Sequence, residues 1–168
     1  MAEAFDPLGL LRALERARVS YVVIGALGRV LQGSGELTDG LDVVPSLREE
    51  NLRRLGLAVD ELNARRPDGE RPDLEDELAR APVLQLETDA GELKLVPRPA
   101  GTRGYDDLRR GAGREPLGQG LRPSVTLLDD LARMLTALNR EQDQAPLRTV
   151  RRLIELQHEL SRGRALER

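Results

Sequence analysis

The chain has 168 residues, 39% of them hydrophobic and 33% charged, with a net charge of −3. That is the composition of a globular domain long enough to bury a core, and it excludes a disordered chain or a bulk polyanion binder. The absence of cysteine excludes disulfides and thiolate metal sites and suits a reducing cytoplasm, and the single histidine, His158, leaves nothing from which to build a zinc site or a Ser-His pair.

Asp6 and Pro7 read as the cap and first position of a helix that shows Leu8, Leu11 and Leu14 on one face and runs to about Arg18. Val19 to Ile24 is a short, continuously apolar run, the pattern of a buried strand. Gly25 breaks it, Ala26 to Gln32 follows as a short helix, and Gly33-Ser34-Gly35 is a loop. A second short strand covers Leu41 to Val44 and stops at Pro45. Ser46 and Glu49 have the spacing of a capping box for a helix reaching Leu62, with Leu52, Leu55, Val59 and Leu62 on its apolar face.

Residues 63 to 72 are polar and punctuated by proline and glycine, and Leu74 to Ala81 has room for one or two helical turns. Val83 to Thr88 and Glu92 to Val96 flank Asp89-Ala90-Gly91, which predicts a β-hairpin with a three-residue loop. A rigid loop from Pro97 to Gly104 leads to a short helix at Tyr105 to Arg110, and Gly111 to Pro123 is expected to be irregular. Thr126 with Asp129 predicts a helix to about Arg140, and a last helix follows Asp143 from Gln144 to about Leu160. The expected fold class is α+β: a small mixed sheet flanked by helices, with a core over residues 1–125 and a C-terminal helical pair over 126–168 packed on it as one compact domain. No run approaches the length of a membrane span.

Strand, glycine turn, short helix and a second strand entered through acidic residues form the most informative stretch, from Tyr21 to Pro45. It resembles the nucleotide site of the nucleotidyltransferase superfamily, in particular the AbiEii-like (MenT-like) toxin nucleotidyltransferases of toxin–antitoxin systems. The likeness extends over about residues 7 to 155. It implies NTP as substrate or ligand, Mg2+ or Mn2+ as cofactor, and an RNA or protein acceptor. Such chemistry needs backbone N–H groups to cradle phosphate and a carboxylate cluster to hold metal.

The resemblance places the cradle at Gly25 and Ala26. In a Thr-x-Asp-x-Asp pattern, Asp42 matches the second strand aspartate and Gly40 stands at the first. Asp39 is one residue off and faces the other side of a regular strand, unless a kink at Gly40 swings it back. If it does, Asp39 joins Asp42 as a metal ligand; otherwise Asp39-Gly40 is a turn leading into the strand. Gly91 to Pro97 resembles Gly-x-Leu-Asp-Leu-Val, with the chain's sole lysine, Lys94, in the place of the third aspartate. An ammonium about 4 Å from a divalent cation opposes it by roughly 8 kcal/mol at an effective dielectric of about 20. Lys94 therefore has three open roles: internal counter-ion of Asp42, direct phosphate ligand, or solvated strand residue.

Pro97 to Arg110 matches the segment that follows the third carboxylate. Either its Arg98 and Arg103 steer a triphosphate or RNA, or its four arginines, Arg98, Arg103, Arg109 and Arg110, pair with Asp106 and Asp107 on a solvated face. In the next helix Leu135 stands where relatives carry a phosphate-binding lysine, and Arg140 with Asp143 reads as a structural pair. Two replaced carboxylates and one missing lysine make the expected protein a lapsed or altered nucleotidyltransferase. The alternative is a metal-independent nucleotide-binding or protein-interaction module, a pseudoenzyme.

Overall fold

The computed structural model describes residues 4–168. Its first element, α1 (Pro7–Arg16), is capped as the sequence predicts: Asp6 accepts the Gly9 N–H at 3.0 Å, and Pro7 occupies the first turn. β1 (Tyr21–Ile24), α2 (Gly25–Val30) and β2 (Gly40–Pro45) follow. After α3 (Glu49–Glu61) and α4 (Leu74–Arg80) come the hairpin strands β3 (Leu84–Thr88) and β4 (Gly91–Leu95). The chain closes with α5 (Tyr105–Leu108), β5 (Gly113–Arg114), β6 (Ser124–Val125), α6 (Leu128–Leu138), a 3-10 turn (Glu141–Asp143) and α7 (Gln144–Leu166).

The strands form one six-stranded mixed sheet in the order β3-β4-β2-β1-β6-β5. β2 runs parallel to β4 and β1 parallel to β6, while the remaining neighbours are antiparallel. Strand alternation sends Leu41, Val43, Leu84, Leu86, Leu93 and Leu95 to one face, where Leu10, Leu11 and Leu14 of α1 and Leu55 and Val59 of α3 cover them. On the other face Val22, Ile24 and Val44 pack under Leu108, Leu128, Leu131 and Leu135, together with Leu147 and Val150 of α7. That second layer covers β1 and the end of β2. The second-face residues of β3 and β4 (Gln85, Glu87, Glu92 and Lys94) remain partly or fully exposed, and where the second layer stops they leave an open polar cleft beside Asp42, separate from the depressions near Leu47.

Neither expected capping box forms. The cap of α3 is Arg48 rather than Ser46, and that of α6 is Leu127 rather than Thr126, neither with a side-chain cap. Both hydroxyl residues directly follow a strand, and their backbone extends the sheet instead: Ser46 N–H bonds Ser20 O at 3.0 Å and Thr126 N–H bonds Val23 O at 3.1 Å. The side chain of Asn51 ties α3 to this strand end, donating to Ser46 O at 2.7 Å and to Ser20 O at 3.0 Å. The hairpin turn has two residues, not three, because Gly91 already pairs with Thr88. Gly91 holds φ +107° against Phe5, where a β-carbon would be strained by the backbone angle and sit 3.1 Å from its neighbour. Residues 111 to 123 are more regular than expected, since β5 pairs with β6 and continues outward through Glu115 N–H to Pro123 O at 3.1 Å and Leu117 N–H to Leu121 O at 3.0 Å. Among the described residues no helix is long and apolar enough to cross a membrane.

Candidate functional site

β1 ends at Ile24, paired across the sheet with Asp42. Gly25 turns the chain into α2 at φ +67°, and a β-carbon there would lie 2.5 Å from Asp42 Oδ2. The Asp42 carboxylate thus rests on the bare α-carbon of Gly25, so this position needs glycine both for its backbone angle and for its neighbour. Ala26 follows in the first turn of the six-residue α2. The sequence reading brought Gly25, Ala26 and Asp42 together, and they are together.

The next strand supplies the rest. In the parallel β2–β4 register Gly40 lies beside Glu92 and Asp42 beside Lys94. Lys94 Nζ is 3.4 Å from Glu92 Oε1, and the other oxygen of Glu92 accepts from Gln85 Nε2 at 2.8 Å. Among the described residues Lys94 makes no ion pair with Asp42 within 4.0 Å, so its direct salt-bridge partner is Glu92. Its charge is still felt at Asp42. Burial pushes the Asp42 carboxyl above the ordinary aspartate range; Lys94 pulls it down, Glu92 pushes it up and Arg29 pulls it down.

Asp39 does not rejoin the site through a bulge. It sits exposed in a bend, and β2 pairs with β4 residue for residue from Gly40 to Val43, with no extra residue to turn Asp39 inward. The acid nearest the vacant first position comes instead from β4: a β-carbon on Gly40 would lie 3.2 Å from Glu92 Oε1. Sequence reasoning missed Glu92, although its spacing of two from Lys94 on one strand was the available signal.

Arg98 and Arg103 lie elsewhere. They follow the C-terminal end of β4, near the loop after Pro45, whereas Gly25 abuts the opposite, N-terminal half of β2. Three residues separate Asp42 from Pro45, about 10 Å at 3.3 Å per residue. Arg98 donates to Ala79 O at 3.2 Å, and the loop geometry carries both side chains away from the glycine turn. The expected pairing of the segment's arginines with Asp106 and Asp107 forms in part: Arg109 pairs with Asp106 at 3.3 Å, while Asp107 pairs with Arg133 at 3.2 Å. Asp107 does accept the backbone N–H of Arg103, at 2.9 Å.

The cation buried closest to the turn is Arg29 in α2, 9% exposed and held at both nitrogens by Glu36 at 2.9 and 2.7 Å. Ser34 adds a hydroxyl bond to Glu36 at 2.6 Å, and these contacts hold the Glu36 carboxyl below its ordinary range. Nothing in the sequence distinguished Arg29 from a solvated helix arginine. In α6, Leu135 is buried in the core, and Arg140 clasps the buried Asp143 at 2.7 and 2.9 Å, keeping that carboxyl low.

A divalent cation does not fit this donor set. Among the described residues no three acidic or imidazole side chains converge, and the two acids of this strip, Asp42 and Glu92, flank a lysine that competes for their charge.

No protein-family model matches the chain, and no curated protein matches it. Solved structures do. The solution structure of the antibiotic-resistance factor ANT(2'')-Ia aligns over 95% of this chain and 92% of that one, with a TM-score of 0.54 and 14% identity. The lincomycin-bound crystal structure of the lincosamide antibiotic adenylyltransferase LnuA aligns over 90% of this chain and 99% of that one, with a TM-score of 0.59 and 12% identity. The chain shares the fold of these two proteins. In this sheet the turn at Gly25 and the polar strip of β2 and β4 lie side by side.

Proposed function

We propose that this chain is a lapsed nucleotidyltransferase: a protein that keeps the fold and the glycine turn and works without metal-dependent nucleotidyl transfer. Lys94 carries the reading. Lys94 is the register partner of Asp42 and its ammonium is 3.4 Å from Glu92, so a positive charge stands between the two carboxylates. With Lys94 in place, Asp42 and Glu92 have their charge offset from within the protein, and a divalent ion would have to displace it.

Transfer to an RNA or protein acceptor, the activity implied by the likeness to toxin nucleotidyltransferases, would require a base and a metal-bound triphosphate. The residues at Asp39, Gly40 and Lys94 do not provide for that. A metal-free triphosphate in the same cleft would face the carboxylates of Asp42 and Glu92 against Lys94 alone, because Arg29 is already committed to Glu36. The remaining role is that of a metal-independent binding module.

Thermal unfolding with each of the four NTPs, with and without Mg2+ or Mn2+, tests this. A ligand at a hundred times its dissociation constant adds about 2.7 kcal/mol, a shift of roughly 5–10 °C for a chain of this size. The proposal expects no shift that depends on the metal. A metal-dependent shift with one NTP, abolished by Asp42→Asn, would reinstate the enzyme.

A further inference from the structure

Prolines end β2 and β4 at neighbouring places in the sheet, and the two chains leave side by side. Between them lies a depression of about 370 Å³ whose lining includes Ser46, Arg48, Arg98, Arg103, Tyr105 and Asp106. Three arginines face one aspartate there, in a chain whose net charge is −3. Only one of them, Arg48, is in an ion pair, and that pair is long and exposed. Arg48 is 3.9 Å from Asp106, and among the described residues the Arg98 and Arg103 guanidiniums have no carboxylate within 4.0 Å.

The backbone holding them is closed on itself. Thr102 N–H and hydroxyl both bond Pro99 O, at 3.1 and 2.9 Å, and the same hydroxyl accepts Gly104 N–H at 3.1 Å. Gly104, at φ +85°, passes so near Pro97 O that a β-carbon would lie 2.9 Å from it. Arg98 and Arg103 therefore project from a braced loop, which lowers the ordering cost of binding. Ser46 is 6% exposed, accepts Arg48 N–H at 3.4 Å, and donates its hydroxyl hydrogen to no acceptor among the described residues. A buried, undonated hydroxyl stands beside three guanidiniums, of which Arg103 has no partner among the described residues, Arg98 is bound only to the Ala79 carbonyl and Arg48 is only loosely held by Asp106, and this is the donor arrangement for a multiply charged oxyanion.

We infer that this depression, at the opposite end of β2 from the glycine turn, binds a small phosphate-bearing anion without metal. Arg48, Arg98 and Arg103 supply charge and forked donors, Ser46 supplies a hydroxyl at the floor, and Asp106 limits how much negative charge the rim accepts. The site is separate from the Asp42–Lys94 cleft and does not depend on whether that cleft is active.

Inorganic pyrophosphate is the probe, titrated calorimetrically into the full chain in chelator-treated buffer at low ionic strength. Binding is expected to weaken as salt rises. Arg103→Ala and Arg48→Ala should each weaken it about tenfold, the loss of one charge-assisted contact, while Asp106→Asn should tighten it. Lys94→Ala should leave it unchanged. These are exposed side chains, and matching thermal midpoints will show that the variants are folded. No heat with the wild type, equal affinity in wild type and Arg103→Ala, or loss of binding in Lys94→Ala would each overturn the inference.

Discussion

Gly25 and Asp42 share one constraint, because the carboxylate occupies the space that any other residue at 25 would fill. Gly25→Ala adds a clash to an unfavourable backbone angle and should cost about 3 kcal/mol in chemical denaturation. In an Asp42→Ala background the penalty should shrink, since the clash with Oδ2 is gone and only the backbone share and a tight β-carbon contact persist. Asp42 also sets a pH dependence. Its folded-state pKa is raised, so the stability it contributes is present below the ordinary aspartate pKa and is lost as pH rises through the raised value. Asp42→Asn should therefore be more stable than wild type at about pH 7, and the gap should close by about pH 3, read from urea midpoints. Gly25 and Asp42 were legible from the sequence because a strand-ending glycine and a strand-entering acid leave local marks. Glu92 was harder to see, because its role depends on a neighbour in another strand.

At the scale of elements, the parallel pairing of β2 with β4 decides what the cleft can do. That register puts Lys94 beside Asp42 and Glu92 beside Gly40. Lys94→Ala should raise the Asp42 pKa further, followed by carboxyl NMR titration, and should cost less than about 1 kcal/mol in stability because the Lys94–Glu92 pair is partly solvated. The loop after β2's predecessor helix is pinned more firmly. Arg29 is nearly buried, and Arg29→Ala would strand Glu36, with an expected loss of about 3 kcal/mol, roughly 10 °C in the midpoint. Helix positions followed from apolar spacing in α1 and α3. The failed caps at Ser46 and Thr126 have a common physical cause: after a strand, backbone pairing to the sheet continues for one residue before a helix starts. β5 and β6, at two residues each, are too short for periodicity to show and exist only because β1 offers a free edge.

Over the whole molecule, one face of the sheet is fully covered and the other only halfway, which creates a cleft without any insertion. The α+β class and the strand–turn–helix–strand path into this cleft could be read from order and spacing. The separation of Arg98 and Arg103 from it could not, because local sequence does not tell at which end of a sheet a loop emerges. The result is a molecule with two differently charged ends along β2, an acid-and-lysine cleft at Gly25 and an arginine depression beyond Pro45. The central claim is that Lys94 takes the place of a metal. Mn2+ binding, followed by paramagnetic resonance on the wild type and on Lys94→Asp, tests it most directly. The account predicts no Mn2+ bound at Asp42 in the wild type and a new site in Lys94→Asp, where Asp42, Glu92 and the introduced carboxylate converge. Mn2+ binding by the wild type that disappears in Asp42→Asn would contradict it.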